Sequence, residues 1–141
     1  MIVVKDRDPK FVDSLSRHYP DLQAVYVFGT YGTEDERQES DVDIALLLPV
    51  ESAKSAGNLA LAPCACELCS LLGREVDLIN LRLVDTVFQN EIIRTGRVVF
   101  ERNDGERDSF ELLTIAKYQK LSEERAGIIE EILRSGRVFD I

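Results

Sequence analysis

Hydrophobic positions along this chain change period several times, and each change marks an element. Asp8-Pro9 pairs a residue suited to capping a helix with a proline suited to its first position, and Phe11, Val12, Leu15 and Tyr19 follow at helical spacing until Pro20 stops them. Ala24 to Phe28 is a short β-branched and aromatic run closed by Gly29, which predicts a strand. Residues 29–40 are polar and acidic, a loop or short helix. Asp41 to Leu48 predicts a second strand, ended by Pro49. Residues 51–57 look loop-like. Asn58 to Leu72 has helical spacing through Leu61, Ala65, Leu68, Cys69 and Leu72, is awkward only at Pro63, and stops at Gly73.

Glu75 to Leu81 predicts a third strand. Asp85 can cap a helix carrying Val87, Phe88 and Ile92 that Gly96 closes, and Arg97 to Glu101 predicts a fourth strand. After the turn Asn103-Asp104-Gly105, a long helix is expected over about residues 107–134. Its start is apolar on two sides, Leu112, Leu113 and Ala116 against Phe110 and Ile115, and is expected to dock on the core. Farther along, one stripe persists through Tyr118, Leu121, Ile128, Ile129, Ile132 and Leu133, broken by Arg125; it suits either packing on the chain's own sheet or a helical partner. Helices and strands in this order make an α/β or α+β domain with a small sheet. At 141 residues the chain forms a single domain, 1–141, with a core at about 8–101.

Composition narrows the function classes. The net charge of −9 argues against broad binding of naked nucleic acid, which needs clustered Lys and Arg. The longest apolar run, Ile44 to Val50, is too short to cross a bilayer, and the start of the chain does not read as a secretory leader. Cys64, Cys66 and Cys69 lack a second ligand cluster, so core thiols in a reducing cytoplasm are expected rather than zinc ligands, with Cys69 on the buried face. His18 reads as an ordinary last-turn residue of the first helix.

Candidate chemistry collects at three strand signals. Gly29-Thr30 closes the first strand and Gly32 follows. Asp41-Val42-Asp43 opens the second, and its two carboxylates project to one side, with Cα atoms about 6.5–7 Å apart at about 3.3 Å per residue. Asp77 sits within the apolar run Val76-Asp77-Leu78-Ile79 of the third, where a carboxylate is costly unless a charge satisfies it. Such a cluster suits Mg²⁺, with its preference for oxygen ligands and substrate phosphates. A glycine turn followed by a hydroxyl suits the phosphates themselves. The sequence contains no P-loop and no acyl-transfer motif.

Gly29-Thr30, ten residues, then Asp41-Val42-Asp43 resembles the Gly-Ser-x10-Asp-x-Asp signature of minimal nucleotidyltransferases (MNT) in the DNA polymerase beta superfamily, and Asp77 falls where that superfamily carries a third carboxylate. The fourth strand with a long charged helix behind it is similar to MntA-type antitoxins, which pair with a HEPN-domain toxin ribonuclease. The resemblance implies an α+β nucleotidyltransferase fold, a small mixed sheet flanked by helices. It implies Mg²⁺-dependent transfer of AMP from ATP to a tyrosine of the toxin, silencing it. Asp41, Asp43 and Asp77 would be catalytic and metal-binding, and Gly29 and Thr30 nucleotide-binding. Two alternatives are a non-catalytic antitoxin acting by binding alone and a transferase for a small molecule such as an aminoglycoside. The chain departs from the family pattern in having Thr30 for Ser and no arginine directly after it. Arg37 is the one base between Gly29 and Asp43, against Glu34, Asp35, Glu36, Glu39, Asp41 and Asp43.

Overall fold

The computed structural model describes residues 9–31, 33–37 and 40–135, the side chains of Pro9 and Lys10 excepted. The expected contributions of Asp8 and Gly32 lie outside the described residues. Helix α1 (Pro9–His18) leads to β1 (Ala24–Phe28), and a loop connects to β2 (Val42–Leu47). Helices α2 (Val50–Ala56) and α3 (Pro63–Leu72) precede β3 (Val76–Asn80), and a 3-10 turn, Leu81–Leu83, leads to α4 (Thr86–Thr95). Strand β4 (Arg97–Glu101) and α5 (Glu106–Ser135) complete the chain.

The strands form one mixed sheet in the order β3-β2-β1-β4, with β2 and β3 parallel and β1 antiparallel to both its neighbours. This is the small mixed sheet flanked by helices expected of the fold. Strand β2 is central and apolar beyond Asp43, buried on both faces as its continuous run Ile44–Leu48 requires. Alternation along β1 sends Val25 and Val27 to one face, against Phe11 and Leu15 of α1 and Leu68 of α3. Ala24 and Tyr26 go to the other face, with Ala45, Leu47, Ile92 of α4 and Phe110 of α5. Asp43 and Asp77 are in register across β2 and β3. Strand alternation puts both on this second face, beyond Ala45 and Ile79.

Four local expectations are corrected. Residues 51–57 are not a loop: α2 occupies Val50–Ala56, seating Ala53 in the core behind Pro49. The next helix begins at Pro63 rather than Asn58, which removes the awkwardness, because proline's missing N–H and fixed φ suit the first helical turn. Leu61 therefore lies in the preceding turn, 92% exposed. Among the cysteines it is Cys64 that is buried; Cys69 is half-buried and Cys66 exposed, all three unbridged. Asp85 caps α4 as expected, accepting from the Phe88 N–H at 2.8 Å. His18 ends α1, 3.2 Å from a Glu67 carboxylate oxygen on α3.

Helix α5 is rooted by a partly buried polar cluster. The Tyr26 hydroxyl of β1 donates to Glu111 at 2.5 Å, Arg107 bonds the same carboxylate at 2.8 Å, and Arg107 also pairs with Glu101 of β4. Phe110 and Thr114 are its buried residues, while Leu112, Leu113 and Ile115 are exposed, contrary to the expectation that the helix start docks through them. Among the described residues no helix is long and apolar enough to cross a membrane.

Candidate active site

The end of β1 and the starts of β2 and β3 meet at one end of the sheet. Phe28 pairs with Asp43 across the antiparallel ladder, and Asp43 pairs with Asp77 across the parallel one. The last residue of β1 and the two aspartates thus occupy one row across three strands. Gly29 turns the chain out of β1 with φ +73°, a left-handed conformation that favours glycine. A second constraint acts there: a Cβ built on Gly29 would lie 2.3 Å from Asp43 Oδ2. The Asp43 carboxylate rests against the bare glycine backbone, so the glycine of the motif and its second aspartate form one packed unit.

Of the three expected aspartates, Asp43 and Asp77 stand in register on neighbouring strands, and Asp41 lies two residues before Asp43. Asp41 precedes β2 and is exposed, and Asp43 is half-buried. Partial burial, then the charge of Asp77, then that of Asp41 raise the Asp43 carboxyl above its ordinary value. Asp77 is exposed on β3, an edge strand, so desolvation does not impose the need for a partner charge there; its like-charged neighbour Asp43 does.

Among the described residues no group of three or more His, Cys, Asp or Glu side chains stands arranged to hold a metal ion. The donor chemistry nonetheless fits Mg²⁺. Hard carboxylate oxygens repel one another around Asp43, and Mg²⁺ characteristically takes one or two carboxylates and completes its shell with water and substrate phosphates.

Thr30, next to Gly29, is exposed and lines a polar cavity of about 700 Å³ together with Glu34, Asp35, Glu36, Arg37 and Ser40. Its carbonyl accepts from the Thr33 N–H at 2.9 Å and the Thr33 hydroxyl at 2.6 Å, closing a tight turn. The next side chain, Tyr31, turns inward and meets the Phe11 ring edge-on, centroids 6.5 Å apart.

Sequence reading missed one residue of this region. Arg74, between α3 and β3, reaches Glu36 at 2.7 Å and lies over the Tyr31 ring at 5.6 Å. It brings to the loop a second base, where Arg37 is the one base within residues 29–43. Its position just ahead of the Val76-Asp77 strand was visible, but nothing in the sequence couples it to a residue 38 positions earlier.

The Polymerase beta, Nucleotidyltransferase family model matches residues 10–105. Protein adenylyltransferase MntA of Shewanella oneidensis is 32% identical over 124 residues, covering 88% of this chain and 86% of that protein. A toxin–antitoxin crystal structure with AMP-PNP aligns at a TM-score of 0.74 and 30% identity, covering 91% of this chain and 99% of the other. A tri-AMPylated Shewanella oneidensis HEPN toxin in complex with an MNT antitoxin aligns at 0.64 and 28%, covering 89% and 95%. With its Gly-Thr turn and aspartates in the row described and its family model matched across the sheet and four helices, the chain belongs to the polymerase beta nucleotidyltransferase family.

Proposed function

We propose that this chain is the antitoxin of a cytoplasmic HEPN/MNT toxin–antitoxin pair and neutralises its partner by transferring AMP from ATP to a tyrosine of the HEPN toxin. The observation that carries the reading is the packed unit of Gly29 and Asp43 in register with Asp77, which joins the glycine turn of the motif to two neighbouring carboxylates. The relatives support the reaction class and the kind of partner, since one is a protein adenylyltransferase and another is an MNT antitoxin bound to an AMPylated HEPN toxin.

Each side chain then has a task. Gly29 lets the backbone approach the triphosphate, and the Thr30 hydroxyl, standing where relatives with the motif carry serine, donates to a phosphate oxygen. Asp41 and Asp43 would hold Mg²⁺, with Asp77 as a further ligand. When bound, the ion offsets the charge of the triphosphate and of this acidic loop. Asp77, exposed at the sheet edge, also helps take the proton of the incoming tyrosine hydroxyl. The tyrosine oxygen forms its bond to the α-phosphorus as the bond from that phosphorus to the bridging oxygen breaks, and pyrophosphate leaves. Holding the phosphates at the Gly29-Thr30 turn keeps attack and departure in line.

Helix α5 supplies the partner surface in this reading. Its 30 residues span about 45 Å, and the helix packs chiefly against α4. Beyond Tyr118 nearly every position is exposed, including Leu121, Ile128 at 61%, Ile129 and Leu133 at 75%. An apolar stripe on a helix projecting from its own domain favours the docking role over core packing, and the occupant is the HEPN toxin with which the solved relatives are complexed.

Purified protein incubated with Mg²⁺, labelled ATP and the cognate HEPN protein should label the HEPN protein and release pyrophosphate. Binding without label would leave an antitoxin that acts by occlusion alone. Ile128→Asp and Leu133→Asp should each weaken toxin binding about 10-fold or more, by titration of the two purified proteins. Both sites are exposed, so the melting temperature of the free antitoxin should hardly move. Unaltered affinity in both variants would remove this stripe from the interface.

A further inference from the structure

The acidic loop of the site raises an electrostatic problem. Glu34, Asp35 and Glu36 line the cavity beside Thr30, where a triphosphate carries charge of the same sign. Arg37 shares that lining but is exposed. Arg74 is differently held: its side chain is 18% exposed and that of its partner Glu36 13%, with 2.7 Å between them. At this depth the pair is less screened than a surface ion pair.

Arg74 is also fixed from behind. Gly73 ends α3 in the left-handed conformation, its N–H bonded to the Cys69 carbonyl. On the other side the Glu75 carbonyl accepts from the Val42 N–H at 2.9 Å, where β2 and β3 begin to pair. The guanidinium therefore projects from a rigid junction three residues ahead of Asp77. Its reach continues through the loop: Glu36 donates its N–H to the Thr33 carbonyl at 3.2 Å, and Thr33 donates twice to the Thr30 carbonyl. Its guanidinium carbon lies over the ring of Tyr31, 5.6 Å from the centroid; Tyr31 is 7% exposed and lies next in sequence to Thr30.

We infer that Arg74 is a positioning residue for the nucleotide: held by Glu36 and laid over Tyr31, it fixes the loop bearing Thr30 and neutralises an acid of the phosphate cavity. This rests on the reading that the Gly29-Thr30 turn holds the triphosphate, which brings the phosphates to the cavity that Thr30 lines. Arginine suits the task because one planar group can bond a carboxylate at its edge and cover an aromatic ring with its face; lysine retains only the charge.

The test uses the full-length protein and two readouts, the Kd for AMP-PNP in the presence of Mg²⁺ and hydrogen exchange at the amides of residues 30–36. Arg74→Ala should raise the Kd about 10-fold, the scale set by losing one poorly screened charge near the phosphates, and should speed exchange in the loop. Arg74→Lys should fall between alanine and wild type in Kd. Arg94→Ala, which breaks an exposed ion pair on α4, should match wild type in both measurements. In the transfer assay Arg74→Ala should raise KM for ATP while kcat changes less. An unchanged Kd, unchanged loop exchange, or a fall in kcat with KM unmoved would each overturn the assignment. A wild-type protein that binds AMP-PNP but transfers no AMP would instead overturn the proposed reaction, leaving Arg74 to be judged on Kd and exchange.

Discussion

Asp41→Asn and Asp43→Asn should each lower AMP transfer about 100-fold or more while the protein stays folded, the scale seen when a single electrostatic contributor to a transition state is removed. Both substitutions keep side-chain volume and discard charge. Asp77→Asn should leave nucleotide affinity nearly intact and slow the single-turnover rate. Either of the first two variants transferring AMP at the wild-type rate would refute the assigned site.

Asp43 carries a second, opposite expectation. Its carboxyl is raised by partial burial and by Asp77 and Asp41, so ionising it costs more in the folded than in the unfolded chain. A group of this kind supports folding while protonated and opposes it once ionised: its contribution declines as pH rises from the ordinary carboxyl value through the raised one. At neutral pH, therefore, Asp43→Asn should melt at a higher temperature than wild type in the absence of nucleotide and divalent cations. The gap should close below the ordinary carboxyl range, where aspartate is protonated in both folded and unfolded chains. Thermal melts across pH would check it. A variant that loses activity and gains stability is the signature of charge assembled for catalysis.

Gly29→Ala should be as damaging by a different route. A left-handed backbone costs a non-glycine residue roughly 1–2 kcal/mol, and the new methyl would stand 2.3 Å from Asp43 Oδ2. The carboxylate must move, so transfer should fall by about two orders of magnitude, as for losing the aspartate itself, together with a lower melting temperature. Combining Gly29→Ala with Asp43→Asn should cost little further activity, because both changes disable the same unit. Wild-type transfer by Gly29→Ala would mean that the close approach does not govern the site.

Much of this architecture was legible in the order of residues because its signals are local. The burial of β2 on both faces follows from an unbroken apolar run, the α4 start from Asp85, and the motif from a glycine turn and two aspartates at period two. Misreadings occurred where a local signal had two meanings. Pro63 reads as an interruption inside a helix begun at Asn58 and as a first position in a helix begun at itself; only the burial of Cys64, Ala65 and Leu68 together decides. Residues 50–56 are too short for periodicity to show, and Ala53 identifies them as a helix only once it is seen in the core. Asp77 drew attention for an apolar setting that the edge position of β3 removes, while its standing beside Asp43 depends on parallel strand pairing. Arg74 was out of reach for the same reason, since its partners lie across a gap that folding alone closes.

The root of α5 has a consequence for how an acceptor is selected. Tyr26, which bonds Glu111 at the base of α5, lies two residues from Phe28, the end of the strand that Gly29 follows. One short, central strand thus carries both the anchor of the projecting helix and the turn beside the aspartates. In the proposed reaction, a toxin gripping α5 would be held at a set distance from the aspartates, as by a ruler, and its tyrosine would arrive at a high effective concentration whatever its flanking sequence. A free peptide bearing the same tyrosine has no such tether and must reach the aspartates by diffusion alone.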